Sequence, residues 1–212
     1  MIWRILFLAL LLALLAYQKR RARIRGALGE AALTRLLRKR LPSSDYHVLH
    51  NIMLPTDEDE TTQIDHIVVS QFGVFVIEAK NYSGWIFGDE KSHMWTKTLP
   101  GGRKYRFQNP LRQNFRHTKT MESLGVPAEA VKSVIAFSEN VTFKTAMPPN
   151  VLHFGDVPDY ILSFGTPLIH RRLAETIESA LRNWNRNIDP KVRKNHVANL
   201  RRRHARRWNK TF

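Results

Sequence analysis

The chain has no cysteine, which removes disulfides, thiolate metal sites and cysteine nucleophiles from consideration together. Acidic residues are also scarce, 18 against 34 Lys and Arg in 212 residues, for a formal charge of +16. That imbalance is local. The six basic residues Arg4, Lys19, Arg20, Arg21, Arg23 and Arg25, with the nine between Lys191 and Lys210, account for all but +1 of the charge. The stretch 190–212 holds no acidic residue at all. A nearly neutral body with basic ends suits anionic lipid headgroups or nucleic-acid phosphate, and charge by itself does not choose between them. Internal repeats and low-complexity tracts are absent, and the length suits one domain with a real core plus appendages.

Long hydrophobic runs are missing too, with one exception. Ile5–Tyr17, ILFLALLLALLAY, is uninterrupted. It reaches back to Met1 if Arg4 snorkels, which makes it just long enough to span a bilayer. A cleaved signal peptide and a buried soluble helix are the rival readings. No small-x-small cleavage site follows the run; QKRRARIR does. The sequence therefore predicts an anchor over 1–18 and a basic juxtamembrane linker over 19–25. It predicts a main domain over 26–166 and a basic helical extension over 167–212. The positive-inside rule places a single-pass protein in the inner (cytoplasmic) membrane, its domain facing the cytoplasm.

Past the anchor the pattern is α/β. Ile24–Leu41 repeats apolar residues at Leu28, Ala32, Leu36 and Leu37, with Leu33 and Leu41 nearby, and Pro42 stops the helix. Strands are predicted at Tyr46–Met53, Gln63–Ser70, Gly73–Lys80 and Val131–Ser138. A Gly- and aromatic-rich excursion follows the third, then a helix capped by Asn109 and opened by Pro110, running to about Leu124. The order is helix, three-stranded antiparallel meander, helix, further strand, with that last strand parallel to its neighbour. Two helices are expected from Pro167 onward.

Asp65, Glu78 and Lys80 sit inside two otherwise apolar strands. Glu78 and Lys80 share a face because they are two apart. A two-residue turn at Gln71 and Phe72 pairs Ser70 with Gly73 and, counting back, places Asp65 opposite Glu78. A four-residue loop from Ser70 to Gly73 gives the same register, whereas a three-residue loop or a bulge at Gly73 would slip it by one. In the first register the two Cβ atoms would be about 5 Å apart. Opposed carboxylates destabilise a sheet unless a cation lies between them, and Mg²⁺ is held by one or two carboxylates plus waters and phosphate oxygens. Lys80 would orient an attacking water and counter phosphate charge. The bland alternative makes all three solvated residues on an exposed sheet face.

Other residues carry their own alternatives. His66 faces away from Asp65 and reads as a packed histidine rather than a ligand. Thr56–Glu60, TDEDE, lacks the Gly and spacing of a cation loop. Trp85 and Trp95 flank an expected hairpin, as core caps or as base-stacking side chains. Val197, Leu200, His204 and Trp208 form a narrow apolar stripe among the C-terminal arginines.

The stretch IDHIVVSQFGVFVIEAKNYSGWIFGD resembles the nuclease-related domain (NERD) family, part of the PD-(D/E)XK nuclease superfamily. GALGE at Gly26–Glu30, the Trp95 segment and FQNPLRQN at Phe107–Asn114 extend the resemblance over roughly 25–140. An N-terminal membrane segment before such a domain is also similar to many bacterial members. The resemblance implies a restriction-endonuclease-like core using Mg²⁺ or Mn²⁺, with Asp65 and Glu78 as metal ligands and the Ala79 carbonyl as a further one. It makes Lys80 the catalytic lysine, with Glu30 and Gln113 lining the site from two helices. Without the resemblance, Glu30 reads as an i,i+4 partner or a helix-start acid and Gln113 as plain surface. Two functions follow: a membrane-anchored nuclease of DNA or RNA, or a catalytically idle nucleic-acid-binding or scaffold module on the same fold. The intact Asp65, Glu78 and Lys80 set favours the first.

Overall fold

The computed structural model describes residues 2–56 and 61–189. The acidic loop beyond Thr56 and the C-terminal stripe from Val197 to Trp208 therefore lie outside the described residues. The apolar run and the first amphipathic segment form one helix, α1 (Ile2–Arg40). Nothing between them breaks it, since Gln18–Arg25 contains no Pro or Gly and is rich in Arg and Lys, good helix formers. The expected anchor is not supported. The uninterrupted run Ile5–Tyr17 covers only about 20 Å at the α-helical rise, against a hydrocarbon core of about 30 Å. Among the described residues no helix is long and apolar enough to cross a membrane. Trp3, Leu6, Phe7, Leu8, Leu10, Leu11 and Leu12 are nonetheless all exposed.

In the second half of α1 the buried stripe is Leu33, Leu37 and Leu41, whereas Leu28 and Ala32, which the spacing also favours, face solvent. The stripe lies on a five-stranded sheet of β1 (His47–Pro55), β2 (Thr61–Ser70), β3 (Gly73–Lys80), β7 (Val131–Phe137) and β9 (Val151–His153), in that spatial order. The meander β1–β2–β3 is antiparallel, and β7 runs parallel to β3, as expected. Strand β9, parallel to β7, extends the sheet beyond the expected strands. Leu33, Leu37, Phe75, Ile77, Val134 and Ala136 pack on one face together with Val157 and Ile161 of α3 (Val157–Leu162). On the other face Ile67, Val69, Val74 and Val76 meet Met121 of α2 (Pro110–Ser123) and Ala174 and Leu181 of α4 (Arg171–Asn187). Because both faces are covered, Val74–Ile77 of β3 and Val134–Phe137 of β7 read as continuous apolar runs, not as alternation.

The excursion after β3 is a second sheet. Strands β4 (Gly84–Phe87), β5 (Met94–Thr98), β6 (Lys104–Gln108) and β8 (Val141–Phe143) lie in the order β6, β5, β4, β8. The Trp85–Trp95 hairpin exists as β4–β5, but the two tryptophans part company. Trp95 is fully buried with Ile86, Phe137 and Val141, while Trp85 is half exposed. Of the two helices expected in the tail, α4 is described and packs as part of the core. Asn185 Oδ1 accepts the Met53 N–H at 3.3 Å, and Arg171 donates to Asp45 at 2.6 Å.

Candidate active site

The site is built at one end of the β2–β3 hairpin. At the other end, a two-residue turn pairs Ser70 with Gly73, and Ser70 Oγ accepts the Phe72 N–H at 3.2 Å while donating to the Gly73 carbonyl at 3.1 Å. The register continues to His66–Ile77 and then stops, one pair short of Asp65 and Glu78. On the opposite side of β2 the ladder also skips Asp65. It pairs His50 with His66 and Ile52 with Ile64 in one continuous register, while Asn51, with φ 53°, drops out of the pairing between them. Asn tolerates that left-handed conformation better than most residues. Released from the ladder on both sides, Asp65 turns its carboxylate to β3, and Oδ2 accepts the Ala79 N–H at 2.9 Å.

Glu78 is 3% exposed. Lys80, two residues along the same face, donates from Nζ to Glu78 Oε1 and to Gln113 Oε1, the latter at 3.1 Å. Gln113 is delivered by α2, whose start is fixed as the sequence predicts. Asn109 Oδ1 accepts the Leu111 N–H at 2.9 Å with Pro110 at the first position. The neighbouring Asn114 clamps the helix to the sheet, donating to the Val76 carbonyl and to Ser133 Oγ, both at 2.8 Å. One turn beyond Gln113 lies a residue that sequence reasoning missed. His117 Nε2 is 3.4 Å from Glu78 Oε2, and its Nδ1 is 2.9 Å from Thr62 Oγ1. The Gln113–His117 spacing of four, which puts both on one helix face, was the available signal.

Glu30 arrives from α1 on the far layer. Gly29 makes this possible, since a Cβ there would run into the Asn81 side chain just past β3. Asn81 Nδ2 in turn donates to the Arg25 carbonyl at 2.6 Å. His66, buried as strand alternation predicts, holds the same turn of helix, with Nε2 at 2.8 Å from Thr34 Oγ1 and 3.1 Å from the Glu30 carbonyl. Burial lowers its pKa to about 4, so it stands neutral.

The two carboxylates are not equivalent, against the expectation that they oppose each other as like partners. The Asp65 pKa is raised to about 8, first by burial and then by the charge of Glu78, with only partial relief from the Ala79 N–H. Burial pushes Glu78 up as well, but the Lys80 ammonium and His117 outweigh it and hold Glu78 below the usual carboxylate range. Burial pushes the Lys80 pKa down, but Glu78, Tyr82 and Asp65 together outweigh it and hold the ammonium charged. Glu30 is raised by burial and by Glu78, with Lys80 opposing. These mutual effects place all four groups in one electrostatic neighbourhood.

Glu78 Oε2 is buried without a well-formed hydrogen bond, an arrangement that costs about 1–3 kcal/mol unless something fills it. A hard cation between that oxygen and Asp65 suits the donor set, because Mg²⁺ needs few protein ligands when waters and phosphate complete its shell. Among the described residues no three His, Cys, Asp or Glu are gathered closely enough to hold a metal by themselves. The Ala79 carbonyl, which the resemblance names, is the further candidate ligand. An open cavity of about 620 Å³ lies on the other side of α2, lined by residues including Arg112, Phe115 and Arg116, and none of the five candidate residues lines it.

The sequence profile of the nuclease-related domain matches residues 25–138. An uncharacterized protein of Bacillus anthracis is 37% identical over 169 residues, covering 77% of this chain and 79% of that protein. The probable kinase PglW of Streptomyces coelicolor is 26% identical over 109 residues, 49% of this chain but 7% of that much longer protein. No solved structure matches the chain. The mixed α/β layers are consistent with the PD-(D/E)XK superfamily. The chain therefore belongs to the nuclease-related domain family, which points to a nuclease-related function with nucleic acid as its partner.

Proposed function

We propose that the protein is a metal-dependent phosphodiesterase of DNA or RNA whose site is the open end of the β2–β3 hairpin. One observation carries the reading: the buried carboxylate of Glu78 and the partly buried one of Asp65 converge with Lys80 where the ladder parts, and Glu78 Oε2, 3.4 Å from His117 Nε2, makes no well-formed hydrogen bond. A module that only bound phosphate would need cations there, not opposed acids. Asp65, Glu78 and the Ala79 carbonyl would hold Mg²⁺ or Mn²⁺. That ion, when bound, polarises a phosphoryl oxygen and acidifies a water. Lys80, kept protonated by Glu78, is no general base in this state; it counters phosphate charge and orients the attacking water. Gln113 fixes the ammonium from α2. Glu30 adds negative charge from α1, strengthening the site's preference for a cation.

The test is cleavage of a mixed panel of single- and double-stranded DNA and RNA by the full chain. Mg²⁺, Mn²⁺ or chelator is supplied, with Lys80→Ala as control. Metal-dependent cleavage lost in that variant supports the reading, and binding without cleavage establishes the idle module instead.

The apolar half of α1 seats the protein on the cytoplasmic face of the inner membrane. The support is its exposure around the whole helix circumference at consecutive positions Leu6–Leu8 and Leu10–Leu12, a pattern stable only when buried in protein or lipid. Arg20, Arg21, Arg23 and Arg25 follow at headgroup level, where anionic lipid adds about 1 kcal/mol each. Recovery of the full chain in the soluble fraction, unchanged by deleting residues 2–17, would overturn this part.

A further inference from the structure

The second sheet shows one face to solvent, and its composition is unlike the rest of the domain. Cross-strand pairing aligns Trp85 with Thr98 and Thr98 with Lys104, and aligns Phe87 with Thr96 and Thr96 with Arg106. Directly paired residues share a face, so Trp85, Phe87, Lys104 and Arg106 stand on one side, opposite the buried Ile86 and Trp95. Trp85 is 51% exposed and Phe87 36%. Lys144, just past β8, lies with Nζ 4.8 Å from the Trp85 ring centre. No acidic residue occurs on any of the four strands. The nearest in sequence are Asp89 in the β4–β5 loop, which accepts the Lys91 and Ser92 N–H groups at 2.8 Å, and Glu139 before β8, which accepts the Gly155 N–H at 2.7 Å.

We infer that this face is a platform for single-stranded nucleic acid, with bases stacked on Trp85 and Phe87 and phosphates met by Lys104, Arg106 and Lys144. The inference rests on the nucleic-acid reading above and names the form of the substrate. Flat exposed rings flanked by cations, without acids, match the two surfaces of a single strand, its bases and its backbone. In a duplex the base faces are stacked away and unavailable to the rings. An exposed cation–π contact is worth only a few-fold in affinity, whereas one base stacked on an aromatic ring is worth roughly ten- to a hundredfold. A base therefore displaces Lys144 from Trp85 and frees its ammonium for phosphate. The platform also adjoins the site in the chain: β4 starts just after Lys80, and β6 runs through Asn109 into α2, which carries Gln113.

The experiment measures binding of fluorescein-labelled oligo-dT, oligo-U and a blunt duplex to the full chain in chelator. The proteins compared are wild type, Trp85→Ala, Trp85→Phe and the Lys104→Ala/Arg106→Ala pair. Unfolding melts are recorded for each to confirm the fold. Trp85→Ala should weaken single-strand binding about ten- to a hundredfold at unchanged salt slope, and Trp85→Phe should restore most of it. The paired basic change should lower the salt slope by about 1.4, two single-strand phosphate contacts. Wild-type binding by a folded Trp85→Ala, or a preference for duplex, overturns the platform and leaves the cleavage reading standing. Binding through this face without metal-dependent cleavage by wild type overturns the cleavage reading and leaves the platform.

Discussion

At its turn, the β2–β3 hairpin closes with Ser70 paired to Gly73 and buries Val69 and Val74 in an unbroken ladder. At its other end the same two strands part, and the space is given to Asp65, Glu78 and Lys80. The closed end is organised for stability: apolar contact on both faces and every turn hydrogen bond made. The open end accepts buried charge, a titrating carboxylate and a Glu78 oxygen without a well-formed hydrogen bond. Such a local breach of packing rules inside a rule-abiding sheet is where function is expected.

Substitutions should therefore separate the two ends. The largest effect is expected at Glu78→Gln, which leaves Lys80 buried without its anion. Breaking such a pair costs about 3–5 kcal/mol, seen as a lower denaturation midpoint, and cleavage should vanish with it. Ile67→Ala, toward the closed end of the same face and fully buried, should lose about 2–5 kcal/mol from transfer and cavity terms. Cleavage per folded molecule should be unchanged, as an assay normalised to native protein would report. Lys80→Ala should cut the chemical step by about two to three orders of magnitude. The metal-induced shift in its melt should survive, because a cation can replace the missing ammonium beside Glu78.

The smallest of these effects is a pH dependence. Asp65 has a folded pKa of about 8, above its ordinary value of 3.8, so the folded state binds more protons and metal-free stability falls as pH rises between those limits. His66 acts in the opposite sense. Its pKa is lowered from 6.5 to about 4, so stability falls as pH drops through that lower window. Between pH 6.5 and 8 the Asp65 effect stands apart from that of His66, and wild type should lose about 1–2 kcal/mol. Asp65→Asn should flatten that slope and be the more stable protein at pH 8 without metal; equal slopes would show that Asp65 is not the group titrating.

The closed end was the more legible in sequence. Gln71–Phe72 between two apolar runs is a local signal, and so are Asn109–Pro110 at the start of α2. Both put the register and Gln113 where the structure has them. The open end is non-local. Asn51 bends away from Asp65, His117 reaches Glu78 across layers, and Lys80 makes the two carboxylates unequal, none of which follows from strand spacing. Beyond its Trp85–Trp95 hairpin, the second sheet escaped notice for a similar reason: β4, β5 and β6 are short and mix Lys, Thr and Gly with aromatics, and β8, which completes it, arrives only after α2 and β7. In α1 the periodicity was clear but the phase was not, because Leu28 and Leu33 fit a helical stripe equally well until the sheet chose Leu33.

The central claim is that Asp65 and Glu78 share a divalent cation at the parted end of the hairpin. Thermal melts of the full chain and of Asp65→Asn with Mg²⁺, with Mn²⁺ and with chelator test it most directly. At metal a hundredfold above its dissociation constant, wild type should gain about 5–10 °C and Asp65→Asn should gain nothing. Equal shifts in the two proteins would contradict the claim.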